Sequence, residues 1–234
     1  MLIGMRLAGF KIKTRNDKFK GFTLAEILIT LGIIGVVAAI TIPSLVAKYQ
    51  KKITVIQLKN TFSTLQQAVK MSSEDNGDCE DWDYTLSKSE FIERYFLPYL
   101  KASKVDMTIT FTDLKGGSHT FGNSYPKFML LDGSVIIYVQ HNFQVSNHLV
   151  VDLNGLAKPN KVGRDVFVLS FWGNTLSTYT QYSDLKMKHN DLIYRGGTSG
   201  QCSKYAAGGI LGPGSYCSRL IQTDGWNISN DYPW

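Results

Sequence analysis

The sequence predicts an α+β protein in which one long N-terminal helix packs on an antiparallel β-sheet. Residues 22–47 contain a single charge, Glu26, and residues 48–71 repeat their apolar side chains at steps of three and four, which is a helical period. Beyond residue 100 the apolar period falls towards two, which indicates strands. These strands follow one another with short links and without crossover helices, so they should pair as an antiparallel meander.

The predicted N-terminal helix has an apolar first half and an amphipathic second half. Residues 22–47 are long enough to cross a bilayer, since about 20 helical residues span ~30 Å of hydrocarbon. Residues 48–77 continue the helix with one apolar face and close with an Asn-Gly stop. From Phe22 to Glu74 the helix would hold about 53 residues and measure roughly 80 Å. Pro43 removes a backbone hydrogen bond within it, so we expect a kink or a locally loosened turn there.

The positive charge of the chain is concentrated before the apolar segment. The whole sequence has a net charge of +6 and a pI of about 9.1. Six basic residues and one aspartate within the first 21 residues account for +5 of that charge. An excess of Lys and Arg beside a membrane helix marks its cytoplasmic side, so the C-terminal domain should lie outside the cytoplasm. No basic stripe with interleaved aromatic residues remains, so no nucleic-acid partner is expected.

Glu26 is the unusual residue of the apolar segment. A carboxylate near the start of a lipid-buried helix costs about 2.5–3.5 kcal/mol unless a partner neutralises it. A plain signal anchor, with Glu26 at the membrane interface, is one alternative. A cleavable secretory signal would end in small residues of the A-x-A type, and the sequence around Pro43 has no clear site of that kind.

The motif Gly-Phe-Thr-Leu-x-Glu at residues 21–26, followed by the apolar run and Pro43, resembles the N-terminal signal of type IV prepilins and type II secretion pseudopilins. The resemblance implies that a prepilin peptidase cuts between Gly21 and Phe22 and methylates the new N-terminus. It implies that Glu26 pairs with the N-terminal amine of a neighbouring filament subunit and that the helix around Pro43 loosens on assembly. It also implies a pilin-like fold, and as partners other pilin or pseudopilin subunits and an assembly platform in the inner membrane.

The chain therefore divides into four predicted segments. These are a basic leader at 1–21, a transmembrane and assembly helix at 22–47, its amphipathic continuation at 48–77, and an extracytoplasmic α+β domain at 78–234. In that domain, Ser87 and Glu90 form a capping-box pattern ahead of a short helix that Pro98 disturbs. Strands are predicted at residues 108–111, 128–131, 134–139, 148–152 and 166–171, with an Asp-Gly hairpin turn at 132–133.

The three cysteines would lie on the oxidising side of the membrane. Cys202 and Cys217 bracket a glycine-rich loop, and a disulfide that closes a loop of roughly 15 residues adds on the order of 3 kcal/mol of stability. We expect this disulfide to form, with Cys79 left as a thiol or paired elsewhere; three buried thiols are the alternative. Zinc is disfavoured, because the chain has no CxxC motif and its four histidines are scattered.

Residues 152–167 form the second informative motif. Through its D-x-N-G, P-N and G-x-D-x-F elements it loosely resembles a loop between strands of pseudopilin-like globular domains. Asp152, Asn154 and Asp165 offer oxygens of the kind that Ca²⁺ prefers. Lys158 and Lys161 lie in the same loop, and Asx side chains also stabilise turns by bonding their own backbone, so a structural turn is the favoured interpretation. No other cofactor is expected.

Two function hypotheses follow. The first is a structural subunit of a type II secretion pseudopilus or type IV pilus-like filament, made in the inner membrane and located in the filament after assembly. The second is a single-pass, membrane-anchored binding domain for an extracytoplasmic glycan or DNA. The chain has no G-x-S-x-G, H-E-x-x-H or P-loop pattern, so we expect no enzymatic activity. The aromatic C-terminal segment at 226–234 should pack back on the sheet, or else form a partner-binding surface.

Overall fold

The computed structural model describes residues 21–140, 147–155, 157–172, 175–179, 187–193 and 200–234. Apart from Gly21, the predicted basic leader lies outside the described residues. The chain divides into two compact units, residues 1–46 and residues 47–234.

The long N-terminal helix is confirmed. Helix α1 covers Leu24–Asn76, 53 residues, and so begins and ends two residues later than predicted. The helix continues through Pro43 without a break. Hydroxyl groups next to the proline donate to carbonyls of the preceding turn, as Thr41 Oγ1 does to the Val37 oxygen at 2.9 Å. Polar side chains in this apolar stretch are thus bonded by the helix itself.

Among the described residues of the second unit there are three further α-helices, all short. Helix α2 covers Lys88–Tyr95, α3 covers His189–Leu192 and α4 covers Cys217–Thr223. The capping box that the sequence predicts for α2 is confirmed, since Ser87 Oγ accepts from the Glu90 backbone N–H at 3.3 Å and the Glu90 carboxylate accepts from the Ser87 N–H at 3.0 Å. A 3-10 turn at Leu97–Tyr99 follows α2, and Pro98 lies inside that turn.

Six of the described strands form one antiparallel sheet. The strands are β1 (Ala102–Val105), β2 (Ile109–Thr112), β3 (Ser118–Phe121), β4 (Lys127–Leu130), β5 (Val135–Gln140), β6 (Asn147–Asp152), β7 (Val166–Trp172) and β8 (Thr175–Thr178). The sheet order is β1-β4-β5-β6-β7-β8, so β4 to β8 form the predicted meander. Strands β2 and β3 form a separate two-stranded antiparallel sheet. The expectation that the strand near 108–111 joins the meander is therefore wrong.

The hairpin between β4 and β5 turns as its sequence predicts. The Leu130 N–H donates to the Ser134 carbonyl at 2.9 Å, and the Asp132 carboxylate accepts from the Ser134 N–H at 3.0 Å. Gly133 has a φ of 86°, in the left-handed region that glycine adopts without strain.

The core lies between the sheet and the second half of α1. Leu58, Phe62, Leu65 and Val69, spaced by four, three and four residues, are the buried apolar side chains of α1 that join it. Every residue of β6 is buried, and successive strand residues point to opposite faces, so both faces of the sheet are covered at its centre. Helix α2 contributes to this cover, since the Phe91 ring stacks on Tyr138 with centroids 4.9 Å apart.

The C-terminal segment packs back on the second unit. Trp226 lies against Phe62 of α1, with ring centroids 5.5 Å apart. Tyr232 is buried and its hydroxyl donates to the Gly163 carbonyl, and Trp234 lies 5.4 Å from the guanidinium of Arg164. These side chains thus contact α1 and the β6–β7 loop, and Trp226 and Trp234 also pack against the common core. Packing of the segment directly on the sheet stays a prediction.

Candidate functional site

The predicted processing site lies ahead of α1. Residues 21–23 have no regular secondary structure, and the Phe22 side chain is 83% exposed. A Cβ placed on Gly21 would meet no atom within 4 Å. The residues on both sides of the Gly21–Phe22 peptide bond are therefore exposed, and the first helical residue, Leu24, lies two positions beyond Phe22.

Glu26 caps the N-terminus of α1. Its Oε2 accepts from the Thr23 backbone N–H at 2.8 Å and from the Thr23 hydroxyl at 2.9 Å. In return, Thr23 Oγ1 accepts from the Glu26 N–H at 3.2 Å. This reciprocal pair is a capping box, which satisfies two N–H groups that a helix start otherwise leaves without acceptors. Glu26 thus has a partner inside its own chain, Thr23. Thr23 directly follows Phe22, the residue at which the predicted cleavage would create a new amine.

The first half of α1 presents an apolar surface. Large side chains such as Leu24 and Ile40 are more than 70% exposed, and none of the described residues 21–46 is buried. Helix α1 is long and apolar enough to cross a membrane. An apolar surface of this size is a membrane or protein interaction surface.

The β6–β7 loop brings together the three oxygen-bearing residues that the sequence singled out. Asp152 ends β6, and its Oδ1 accepts from the Asn154 N–H at 3.3 Å. The Asn154 amide nitrogen donates to Asp165 Oδ2 at 3.0 Å, and the Asn160 N–H donates to the same oxygen at 2.8 Å. Asp165 Oδ1 accepts from the Lys161 N–H at 2.6 Å. The loop is thus folded around the Asp165 carboxylate.

The two carboxylates of this loop are buried and short of positive charge. Burial, and after it the negative charge of Asp165, raise the pKa of Asp152 to about 8, although the N–H groups of Asn154 and Gly155 act in the opposite direction. Burial also raises the pKa of Asp165, although three loop residues donate to it. No described basic side chain forms a salt bridge with either aspartate. In the part of the chain that the structure describes, no three His, Cys, Asp or Glu residues are grouped to hold a metal, so an ion here would also need amide oxygens.

Cys202 and Cys217 form the disulfide favoured on sequence grounds, with an S–S distance of 1.98 Å. It joins the start of the glycine-rich loop to the first residue of α4. Gly163 of the β6–β7 loop packs on it, because a Cβ at that position would lie 2.7 Å from Cys217 Sγ. Cys79 is buried as a thiol, and burial raises its pKa to about 11.

Two family matches cover nearly all of the described chain. Residues 16–42 match the prokaryotic N-terminal methylation motif. Residues 44–234 match a family of unknown function, DUF6613. The chain belongs to DUF6613. No curated protein and no solved structure matches it. The methylation motif makes this DUF6613 member a pilin-like protein with a prepilin-type signal, which confirms the resemblance drawn from residues 21–26.

Sequence reasoning missed two residues of these sites in the DUF6613 chain. Thr23 completes the helix cap, and its signal is present, since Thr-x-x-Glu before an apolar run is the capping-box pattern. Asn160 supplies an N–H to Asp165 and has a left-handed φ of 49°, which Asn tolerates better than most residues. Its signal was the Pro-Asn element of the loop motif.

Proposed function

We propose that this chain is a structural subunit of a type II secretion pseudopilus or a type IV pilus-like filament. The observation that carries the proposal is the methylation motif placed directly on an exposed, capped and apolar helix start. A prepilin peptidase would cut between Gly21 and Phe22 and methylate the Phe22 amine. The proposed role is structural and non-enzymatic. The free energy of filament assembly would come from the packing of apolar helices.

Assembly would bring the apolar half of α1 of many subunits together. In that setting the Glu26 carboxylate is removed from water, and the Phe22 amine of a neighbouring subunit is the cation that would neutralise it. The capping box positions the carboxylate one residue from the chain's own new N-terminus. Glu26 would therefore exchange or share its bond to Thr23 with a neighbour's amine.

The membrane orientation proposed here follows from charge. The leader carries most of the net positive charge and would stay in the cytoplasm, beside the inner-membrane assembly platform. Residues 47–234 would then lie outside the cytoplasm, where the Cys202–Cys217 disulfide is stable. Pro43 leaves one carbonyl of α1 without a helical donor, which would ease loosening of the helix on assembly.

Two substitutions at Glu26 separate capping from pairing. Glu26→Gln keeps an acceptor for Thr23, because Gln also completes a capping box, but it removes the charge. Glu26→Ala removes both. We expect both variants to be cleaved like the wild type and both to lose most filament assembly, measured as sheared filaments per cell in a host with the assembly system. Filaments from Glu26→Gln alone would show that capping suffices, and normal filaments from both would remove Glu26 from the mechanism.

A further inference from the structure

Basic side chains of the second unit lie around the turns of α1 that directly follow its apolar half. Lys48 and Lys52 are exposed, and residues four positions apart are neighbours on one face of a helix. Lys51 lies beside the C-terminal residue, with its Nζ 5.7 Å from the centroid of the Trp234 ring. The β6–β7 loop contributes the remaining members. We call this set the basic cluster, and it consists of Lys48, Lys51, Lys52, Lys158 and Arg164.

Trp234 connects the helical part of the basic cluster to the loop part. Its ring is in cation–π contact with Lys51 and with Arg164, whose guanidinium carbon lies 5.4 Å from the ring centroid. Arg164 also bonds to α1 directly, since its Nη2 donates to Gln50 Oε1 at 3.4 Å and its carbonyl accepts from the Thr54 hydroxyl at 3.3 Å. The helix and the loop therefore present their positive charges side by side.

The basic cluster is not neutralised within the part of the chain that the structure describes. None of its members forms a salt bridge with a described carboxylate. Asp165 follows Arg164 in sequence, but it is buried and its oxygens accept from N–H groups of the loop instead. A cavity of about 230 Å³ opens beside the cluster, and its lining includes Tyr49, Gln50, Lys158, Arg164 and Trp234. A basic surface without its own counter-charge attracts an anionic partner.

The position of the basic cluster along α1 corresponds to the level of lipid headgroups. With Glu26 at the cytoplasmic edge of the hydrocarbon, about 20 helical residues cross the bilayer core, so the crossing ends near residue 46. The headgroup layer adds roughly 5–7 Å on that side, or about one helical turn. The lysines at 48–52 of α1 fall within that turn. Tyr and Trp, here Tyr49 and Trp234, are the aromatic residues that favour the same layer.

We propose that the basic cluster and Trp234 bind the phosphate groups of anionic phospholipids in the leaflet where α1 leaves the membrane. Each Lys or Arg near an anionic bilayer strengthens the attraction by about 5-fold. An acidic surface of another protein would satisfy the charges equally well, but it does not account for the position of the cluster next to a membrane-crossing segment. This inference rests on the membrane insertion in the proposed function and not on filament assembly.

The test is fluorescence quenching of the full chain, reconstituted into vesicles of phosphatidylcholine that contain a minor share of phosphatidylglycerol. Two series of vesicles have the same composition, but the acyl chains of either the phosphatidylglycerol or an equal amount of phosphatidylcholine are brominated. Bromine quenches tryptophans that it contacts. We expect brominated phosphatidylglycerol to quench about 2-fold more strongly or better, because the cluster gathers this lipid. NaCl at about 1 M should remove the excess, since it screens charges beyond ~3 Å.

Three variants make the test specific to the basic cluster. Trp234→Phe keeps an aromatic ring but should lose the excess quenching. Lys48→Gln with Lys52→Gln removes two exposed charges that have no printed contact with Trp234, and it should bring the two lipids close to equality. Lys59→Gln with Lys70→Gln is the matched control, because it removes two exposed lysines farther along the same helix. This control should quench like the wild type.

Flotation of the chain with the vesicles separates failure of this inference from failure of the proposed membrane insertion. A chain that floats but is quenched equally by the two lipids would overturn the lipid site and leave the insertion intact. A chain that does not float would overturn the insertion, and the lipid site with it. Excess quenching that persists in Trp234→Phe would place the lipid contact elsewhere, and an equal loss in both lysine pairs would show that net charge alone is responsible. Either result would contradict the assignment.

Discussion

His189 contacts two carboxylates through its two ring nitrogens, one from Asp224 directly after α4 and one from Asp231 in the C-terminal segment. Nδ1 lies 2.7 Å from Oδ1 of Asp224, and Nε2 lies 3.0 Å from Oδ2 of Asp231. Both nitrogens donate only when the ring is protonated. The bond to Asp231 and then the bond to Asp224 raise the pKa of His189 above its usual 6.5. Because the folded pKa is raised, this stabilisation is complete below pH 6.5 and is lost as the pH rises through the folded pKa.

His189→Gln should therefore destabilise the chain in a pH-dependent way. We expect the variant to lower Tm by about 2–4 °C at pH 6, which corresponds to ~1 kcal/mol, and by clearly less at pH 9. Tryptophan fluorescence is a suitable signal for unfolding, since Trp226 and Trp234 lie in the C-terminal segment, to which His189 is bonded through Asp231. Equal losses of Tm at the two pH values would show that the ring contributes only packing.

At this scale the sequence identified Glu26, Asp152, Asn154 and Asp165 as informative, but it did not predict the hydrogen bonds that they form within the chain. The reason is that a carboxylate accepts from any nearby N–H, and the chosen donor depends on backbone geometry. Local patterns were the exception. The Ser87 cap of α2 was predicted because its donor and acceptor are three residues apart, and the same rule would have found Thr23.

At the scale of elements, the disulfide-closed loop is the clearest case of stability that depends on a covalent link. The two cysteines are 15 residues apart, and both are buried. Replacing both with serine should destabilise the chain by about 3 kcal/mol, or lower Tm by roughly 6–12 °C. The measurement is thermal unfolding with and without reductant. The double variant should be insensitive to reductant, and a wild type whose Tm does not change on reduction would contradict this role of the link.

Element prediction succeeded where the apolar pattern was long. Helix α1 was predicted to within two residues at each end, and β5, β6 and β7 were found from continuous apolar runs. Strands β1, β3 and β8 were not predicted, because each has only four residues and few of these are apolar. Whether such a short segment forms a strand depends on the neighbouring strand with which it pairs. The continuous apolar runs of β5 and β6 are also typical of strands that are buried on both faces.

At the scale of the whole molecule, the two compact units differ in the features that they contain. The unit that ends at residue 46 carries the methylation motif and the exposed apolar helix, and the unit from residue 47 has its own core of helix, sheet and C-terminal segment. The packing site of that segment was not predictable from its composition. Aromatic side chains indicate burial, but only the complete fold determines which surface is still open to them.

The most direct test of the proposed function is the intact mass and N-terminal sequence of the protein recovered from membranes of a host with a prepilin peptidase. We predict a chain that starts at Phe22 and carries one added methyl group. A Gly21→Val variant should remain at the unprocessed mass in the same host. A wild-type chain that keeps its leader would contradict the filament role and favour a membrane-anchored binding domain.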